Sequence, residues 1–254
     1  MSLVYQPYIA NLSTMYGSLA RDQRAQAAAD DGFQEVESWW DFDNSSPARS
    51  EIDSFIRSLR SAEVSLYAIN SHGGNRSAGE RGIAMLRDRE TEFRESISSI
   101  LAVAEETGAT CFNVTPGLLT DAESRDTQLN RLADRYAWAI EKLDPISGTI
   151  LIEPLSGLRD GYPFLSAVEV LDFINKFFPT EERVAILFDT YHLAANNTDI
   201  FDQWRSCHSR VGHVQFADFP GRGNLGTGSL DFLTFSSLMH DSGYSGKVSL
   251  EYIR

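Results

Sequence analysis

The chain has 254 residues, 42% of them hydrophobic and 23% charged, enough to fold around one sizeable core without disulfide staples. A formal net charge of −14 argues against nucleic acid or an anionic membrane surface as the main partner. The two cysteines, Cys111 and Cys207, lie far apart with no Cys-x-x-Cys spacing, which points to a reducing compartment.

Eight β-rich apolar runs follow one another along the chain. The first four are expected over 5–12, 33–40, 64–70 and 110–116, and the last four over 149–154, 184–190, 211–217 and 247–253. Neither the first stretch, "MSLVYQPYIANLSTMYGSL", nor any later one has the basic-then-apolar pattern of a signal peptide or the length of a membrane span. A cytoplasmic location is therefore expected.

The segments between the runs read as helices. Phe93, Ile97, Ile100, Leu101 and Ala104 repeat at helical spacing, with Gly108 as a stop. Leu129, Leu132, Tyr136, Ile140 and Leu143 do the same, and Thr120 with Glu123 has the form of a capping box ahead of them. Gly32 is a stop for the first helix. Strands and helices alternating at this interval predict an α/β fold, a (β/α)8 TIM barrel forming one domain over 1–254. A doubly wound sheet is the rival, but no G-x-G-x-x-G follows the first strand. The eighth strand is followed by no helix, so its outer face is expected to lie under a neighbouring helix or another subunit, which makes a homo-oligomer the expectation.

Barrel chemistry sits at the C-terminal ends of the strands. There the last four runs carry Glu153, Asp189, Gln215 and Glu251, spaced by 36, 26 and 36 residues, about one βα unit each. Three carboxylates sharing one barrel mouth need a cation, or one of them must hold a proton. Oxygen-only donors suit Mg²⁺ or Mn²⁺, so these four are the candidate metal ligands.

His192 in "DTYH" and His213 in "GHVQ" are candidate substrate contacts, as are Arg222 in "PGRG" and Arg81 in "GERG", whose forked guanidinium groups match a carboxylate. Asp218 reads as a brace for its loop in preference to a substrate contact, and Glu80 as an ion-pair partner of Arg81. Glu37 stands where it would line the pocket, and Trp39 and Trp40 read as packing or lid residues.

The runs "ILIEPL", "ILFDTYH", "GHVQFADFPGR" and "VSLEY", with "SAGERGIAML" at 77–86, resemble the motifs of the hydroxypyruvate isomerase family among the xylose isomerase-like barrels. The resemblance spans essentially the whole chain. It implies a metal-dependent aldose–ketose isomerase acting on a small 2-oxo acid or sugar through an enediolate, the type reaction taking hydroxypyruvate to tartronate semialdehyde. Glu153 and Glu251 would then be the catalytic base and acid. Where the family often has an Asn-Leu-Pro-like turn and an Asp-Trp before GERG, this chain has His72 and Arg76. Two alternatives stand beside this reading. One is a ketose 3-epimerase, in which histidine usually takes the place of Gln215. The other is a barrel that binds metal and sugar without turnover.

Overall fold

The computed structural model describes residues 7–157 and 161–254. Its elements alternate throughout. The first half runs β1 (Ile9–Asn11), α1 (Leu12–Met15), α2 (Arg21–Asp30), β2 (Glu35–Ser38), α3 (Arg49–Ser61), β3 (Ser65–Asn70), α4 (Glu90–Thr107), β4 (Cys111–Asn113) and α5 (Arg125–Lys142). The second half runs β5 (Thr149–Ile152), α6 (Ala167–Phe177), β6 (Val184–Asp189), α7 (Thr190–Ala195), α8 (Ile200–Cys207), β7 (Val211–Phe216), α9 (Phe232–Asp241) and β8 (Val248–Leu250). Each strand pairs in parallel with the next, and β8 closes on β1 through Ile9–Ser249 and Ala10–Leu250. The result is the closed eight-stranded (β/α)8 barrel that the sequence predicts. All eight expected runs contain a strand, though each observed strand is shorter. Residues 5 and 6 of the first run lie outside the described residues.

A parallel barrel strand is buried on both faces, so its alternation is one of size and polarity between two interiors. In β6, Val184, Ile186 and Phe188 pack with the helices in the large outer core, while Ala185 and Leu187 join Ala68, Cys111 and Leu151 in a small inner one. The next residue on that inner face is Asp189. Gly212 in β7 is required by this inner packing, because a Cβ there would sit 2.8 Å from Cβ of Ala185 and 2.9 Å from Cδ2 of Leu151.

The helices start and stop for local reasons. Phe93, Ile97, Ile100 and Ala104 are buried along one face of α4, and Gly108 caps its end with φ +78°. Gly32, at φ +89°, follows α2 in the same way. The capping box expected from Thr120 and Glu123 is not formed. Ser124 caps α5 instead, its Oγ accepting the N–H of Thr127 at 3.2 Å. Both oxygens of Glu123 take the Arg131 guanidinium at 2.7 Å, and the Gln128 side chain holds the backbone of Thr120. A long cation about two helical turns further on outcompetes the local cap.

Among the described residues no helix follows β8. Its outward residues Val248 and Leu250 are nonetheless buried within this one chain, part of the core that also holds Tyr252. No helix is long and apolar enough to cross a membrane among the described residues.

Candidate active site

At the C-terminal mouth, every strand delivers one polar side chain inward. They are Asn11, Glu37, Asn70, Asn113, Glu153, Asp189, Gln215 and Glu251, all buried except the half-buried Asn70. Polar groups taken out of water must find partners. Most of them find each other. Asn113 Nδ2 donates to Glu153 Oε2 at 2.6 Å, and Asn11 Nδ2 donates to Glu37 Oε1 at 2.8 Å and to Glu251 Oε1 at 3.2 Å. Glu37 Oε1 also accepts from Gln215 Nε2 at 2.7 Å, and its Oε2 meets His213 Nε2 at 2.8 Å. These donors hold the Glu37 carboxylate below its usual range against the opposing effect of burial, with His213 foremost among them.

Glu37 thereby decides which way Gln215 faces. With the amide nitrogen donated to Glu37, Gln215 Oε1 is left with no hydrogen-bond partner. Asp189 Oδ2 and Glu251 Oε2 are buried and without a hydrogen-bond partner as well. Burial and the neighbouring Asp189 push the Glu153 carboxyl up to about 8. Burial also drives Glu251 well above the ordinary carboxylate range. Buried oxygens without a hydrogen bond beside proton-seeking carboxyls could hold a metal ion, and oxygen donors of this kind are compatible with one.

His192 stands beside the carboxylates, its Nε2 3.7 Å from Glu153 Oε1 and 4.0 Å from Asp189 Oδ2. One atom each of Glu153, Asp189 and His192 lie within 4.8 Å of one another, close enough to hold an ion. The ring's other nitrogen argues for a different role. Ser156 N–H donates to His192 Nδ1 at 3.0 Å, and burial lowers the imidazole pKa to about 4. A neutral ring that accepts at Nδ1 carries its proton on Nε2, so it offers a donor to the site rather than a lone pair.

Arg222 follows a cis Phe219–Pro220 bond and adopts φ +55°. Its Nη2 lies 3.1 Å from Glu251 Oε2 and 3.7 Å from Asp189 Oδ2, between two of the unpartnered oxygens. Asp218 braces this loop as expected. Fully buried, it accepts the backbone N–H groups of Phe219, Gly226, Gly228 and Leu230 at 2.8–3.0 Å. Gly228 must be glycine, since a Cβ would fall 2.6 Å from Asp218 Oδ1.

The cavity over these groups measures about 920 Å³ and is lined by Glu153, Glu251, His192, Arg222, Arg81 and Arg76 among others. The structure thus gathers six of the eight expected site residues tightly: the four oxygen donors, His192 and Arg222. Arg81 lies further out on the wall, its Nη1 donating to the carbonyls of Arg76 and Glu80. His213 does not reach the cavity. It is 1% exposed, beneath Gln215, with Glu37 on one side and the Tyr67 ring 5.1 Å away. Its geometry is that of a support for Glu37, not of a substrate contact. Glu80 pairs with Arg89 at 2.8 Å rather than with Arg81.

Two participants were not singled out in the sequence, Asn11 and Asn113, and a third, Trp39, was read only as packing or a lid; its indole donates to Glu251 Oε1 at 2.9 Å. The signal for the two asparagines was present. Each is a polar residue ending an apolar strand, the same mark that identifies Gln215. Trp39 carried no such mark, because a tryptophan after a strand reads equally well as packing.

A family model for xylose isomerase-like TIM barrels matches residues 25–254. A relative from Streptomyces coelicolor is 31% identical over 99% of this chain and 92% of its own. The 2-oxo-tetronate isomerase of Cupriavidus necator is 30% identical and the hydroxypyruvate isomerase of Escherichia coli K12 27% identical, each aligned over 96% of this chain and 92% of itself. Among solved structures, that of a Brucella melitensis protein described as an AP endonuclease of family 2 superposes with a TM-score of 0.85 at 28% identity, covering 96% of this chain and 92% of that one. The eight-stranded barrel, its oxygen-rich mouth and this kinship lead to one conclusion: the chain belongs to the xylose isomerase-like TIM barrel family, in its hydroxypyruvate isomerase branch, and is an isomerase.

Proposed function

We propose that this isomerase interconverts the ketone and aldehyde forms of a small sugar acid, as in hydroxypyruvate to tartronate semialdehyde, with one divalent ion, Mg²⁺ or Mn²⁺. The observation that carries this reading is the set of buried oxygens without a hydrogen bond on Asp189, Gln215 and Glu251, the two carboxylates sharing only the Arg222 guanidinium, beside the Glu153 carboxyl. Glu153, Asp189, Gln215 and Glu251 would hold the ion. When bound, it polarises the substrate carbonyl and acidifies the neighbouring C–H.

Glu153 and Glu251 flank the reacting carbons. One takes a proton from the carbon that carries the hydroxyl, leaving an enediolate; the hydroxyl proton passes to the former carbonyl oxygen, and the other glutamate returns a proton to the former carbonyl carbon. His192 Nε2–H donates to a substrate oxygen as negative charge develops there. Arg222 and Arg81 supply guanidinium donors for the substrate's carboxylate. The relatives named as isomerases of hydroxypyruvate and of 2-oxo-tetronate support an acidic substrate of three or four carbons. Epimerase structures at 14–18% identity share the fold and carry no argument about the substrate.

The test is turnover of hydroxypyruvate, a four-carbon 2-oxo acid and neutral ketoses, with protein stripped by chelator and then reloaded with Mn²⁺. The reading expects the acids to be converted and the ketoses not, with activity lost on stripping and regained on reloading. Turnover of ketoses in preference to acids, or turnover indifferent to chelator, contradicts it.

A further inference from the structure

Away from Glu153 and Glu251 the wall of the cavity carries both signs, with Asp43, Glu92 and Glu95 beside three arginines. Arg76 and Arg81 both line it, in a chain whose formal net charge is −14. Neither guanidinium forms an ion pair with an acidic side chain among the described residues. Arg81 is bonded only to the carbonyls of Arg76 and Glu80, and Arg76 lies over the Trp39 indole with Cζ 3.9 Å from the ring centroid. The same indole donates its N–H to Glu251, so Trp39 spans from the cation to the carboxylate set. Arg76 is close enough to feel the charges of Arg81, Glu153, Glu251 and Asp41.

The loop that presents Arg76 is fixed in advance. Glu80 Oε2 accepts Asn75 N–H at 2.5 Å, and Glu80 Oε1 is held by Arg89 at 2.8 Å. Arg89 also grips Glu92, which in turn meets His72 Nε2 at 3.0 Å. The acidic groups around the loop thus have other partners, Glu80 and Glu92 on Arg89, Glu95 on Ser45, Asp41 on Arg24 and Asp43 on Arg21, and Arg76 and Arg81 pair with none of them among the described residues. A guanidinium stacked on an aromatic face keeps its edge N–H groups free for a bidentate oxyanion. Arg222 stands elsewhere, among the carboxylates at the barrel mouth with Nη2 3.1 Å from Glu251 Oε2 and 3.7 Å from Asp189 Oδ2, where it serves the carboxylate next to the reacting carbonyl.

We propose that Arg76, seated on Trp39, forms with Arg81 the receptor for a terminal oxyanion of the substrate, whose carbon chain runs from there to Glu153 and Glu251. The inference rests on the isomerase reading above and deepens it. A cavity of about 920 Å³ is large for a three-carbon acid, since pockets of about 300–1,000 Å³ hold drug-sized ligands. The cavity therefore has room for a sugar chain longer than hydroxypyruvate that ends in a carboxylate or a phosphate, the four-carbon 2-oxo acid above being the shortest such chain.

Calorimetric titration of the Mn²⁺-loaded protein with gluconate tests this, with glucitol as the uncharged control. Gluconate should bind the wild type and lose at least about tenfold in affinity in Arg76→Met, the loss of one charge-assisted bidentate contact. Arg76→Lys, which keeps the charge but not the stacked plane, should fall between the two. Mn²⁺ affinity should be the same in all three proteins, which separates a lost oxyanion contact from a disturbed site. Equal gluconate affinity in wild type and Arg76→Met, or no gluconate binding to wild type, overturns the proposal. Glucitol 6-phosphate distinguishes the two oxyanions, tighter binding than gluconate with the same loss in Arg76→Met assigning the receptor to phosphate. These are binding measurements on non-reacting ligands, so an absence of isomerase turnover would sink the functional reading and leave this result standing.

Discussion

A single buried carboxylate organises the candidate site without facing the substrate. Glu37 receives hydrogen bonds from Asn11, His213 and Gln215, and by taking the Gln215 amide nitrogen it turns the amide oxygen toward the site. In Glu37→Gln, the new side chain can donate as well as accept, and Gln215 loses its reason to face one way. Mn²⁺ affinity in that variant should fall about 10- to 100-fold, the usual consequence of losing a group that orients a ligand. An unchanged affinity by calorimetry would show that Gln215 is oriented by something else. Glu251→Gln keeps an oxygen donor but no proton-transfer group, so it should retain measurable Mn²⁺ binding while kcat drops on the order of 100-fold or more. Wild-type turnover in that protein would remove Glu251 from proton transfer.

The carboxyl groups also give the metal-free protein a pH signature. Glu153 holds its proton up to about 8, well above its unfolded value, so the folded state binds that proton more tightly. The stability it contributes is full at low pH and is lost as pH rises toward 8. His192 has the opposite shift, down to about 4 from 6.5, and its contribution is lost on acidification below 6.5. Between pH 6.5 and 8, then, the carboxyls act alone, and the melting temperature of the stripped protein should fall across that window. Mn²⁺ should flatten the trend, because the ion replaces the proton. A melting temperature that rises over the same window in stripped protein would contradict the burial-driven shift.

At the scale of elements, the loop after β7 shows what a pattern of residue types conveys and what it does not. Pro-Gly-Arg next to a strand marks a tight turn, and Asp218 reads as its brace. The structure bears this out with four backbone N–H groups on one buried carboxylate. Asp218→Ala leaves those donors unpaired and should cost about 3 kcal/mol or more in unfolding free energy, with Arg222 released from its place. A chemical denaturation midpoint equal to that of wild type would show that the loop holds itself. The failures at this scale share a cause. Thr120 and Glu123 have capping-box spacing, and Glu80 is adjacent to Arg81, but Arg131 and Arg89 reach those carboxylates from other turns of the chain. Long cations make pairings that local spacing does not record. His213 was misleading for a related reason, since sharing a strand face with Gln215 does not say how deep in the barrel a residue sits.

For the whole molecule, the order of strands was legible because each apolar run is bounded by turn residues and ends in a polar side chain. That ring of polar ends is the site, so the architecture and the candidate metal ligands were read from one pattern. What the pattern could not convey was connectivity within the ring: which amide leans on which carboxylate, and which oxygen is left over. Those depend on strand register, including the shift between Ile186 and Leu187 that sets Asp189 opposite Gln215.

The central claim is that proton transfer between adjacent carbons of an acidic substrate depends on an ion held by the four oxygen donors. Proton NMR in deuterated buffer tests it most directly, with hydroxypyruvate and a four-carbon 2-oxo acid, Mn²⁺ removed after quenching, and a chelator-treated control. The account predicts loss of the C–H signal next to the carbonyl and appearance of the aldehyde hydrate, both abolished by chelator and by Glu251→Gln. Retention of that signal for both acids, in protein shown by calorimetry to have bound its ion, would contradict it.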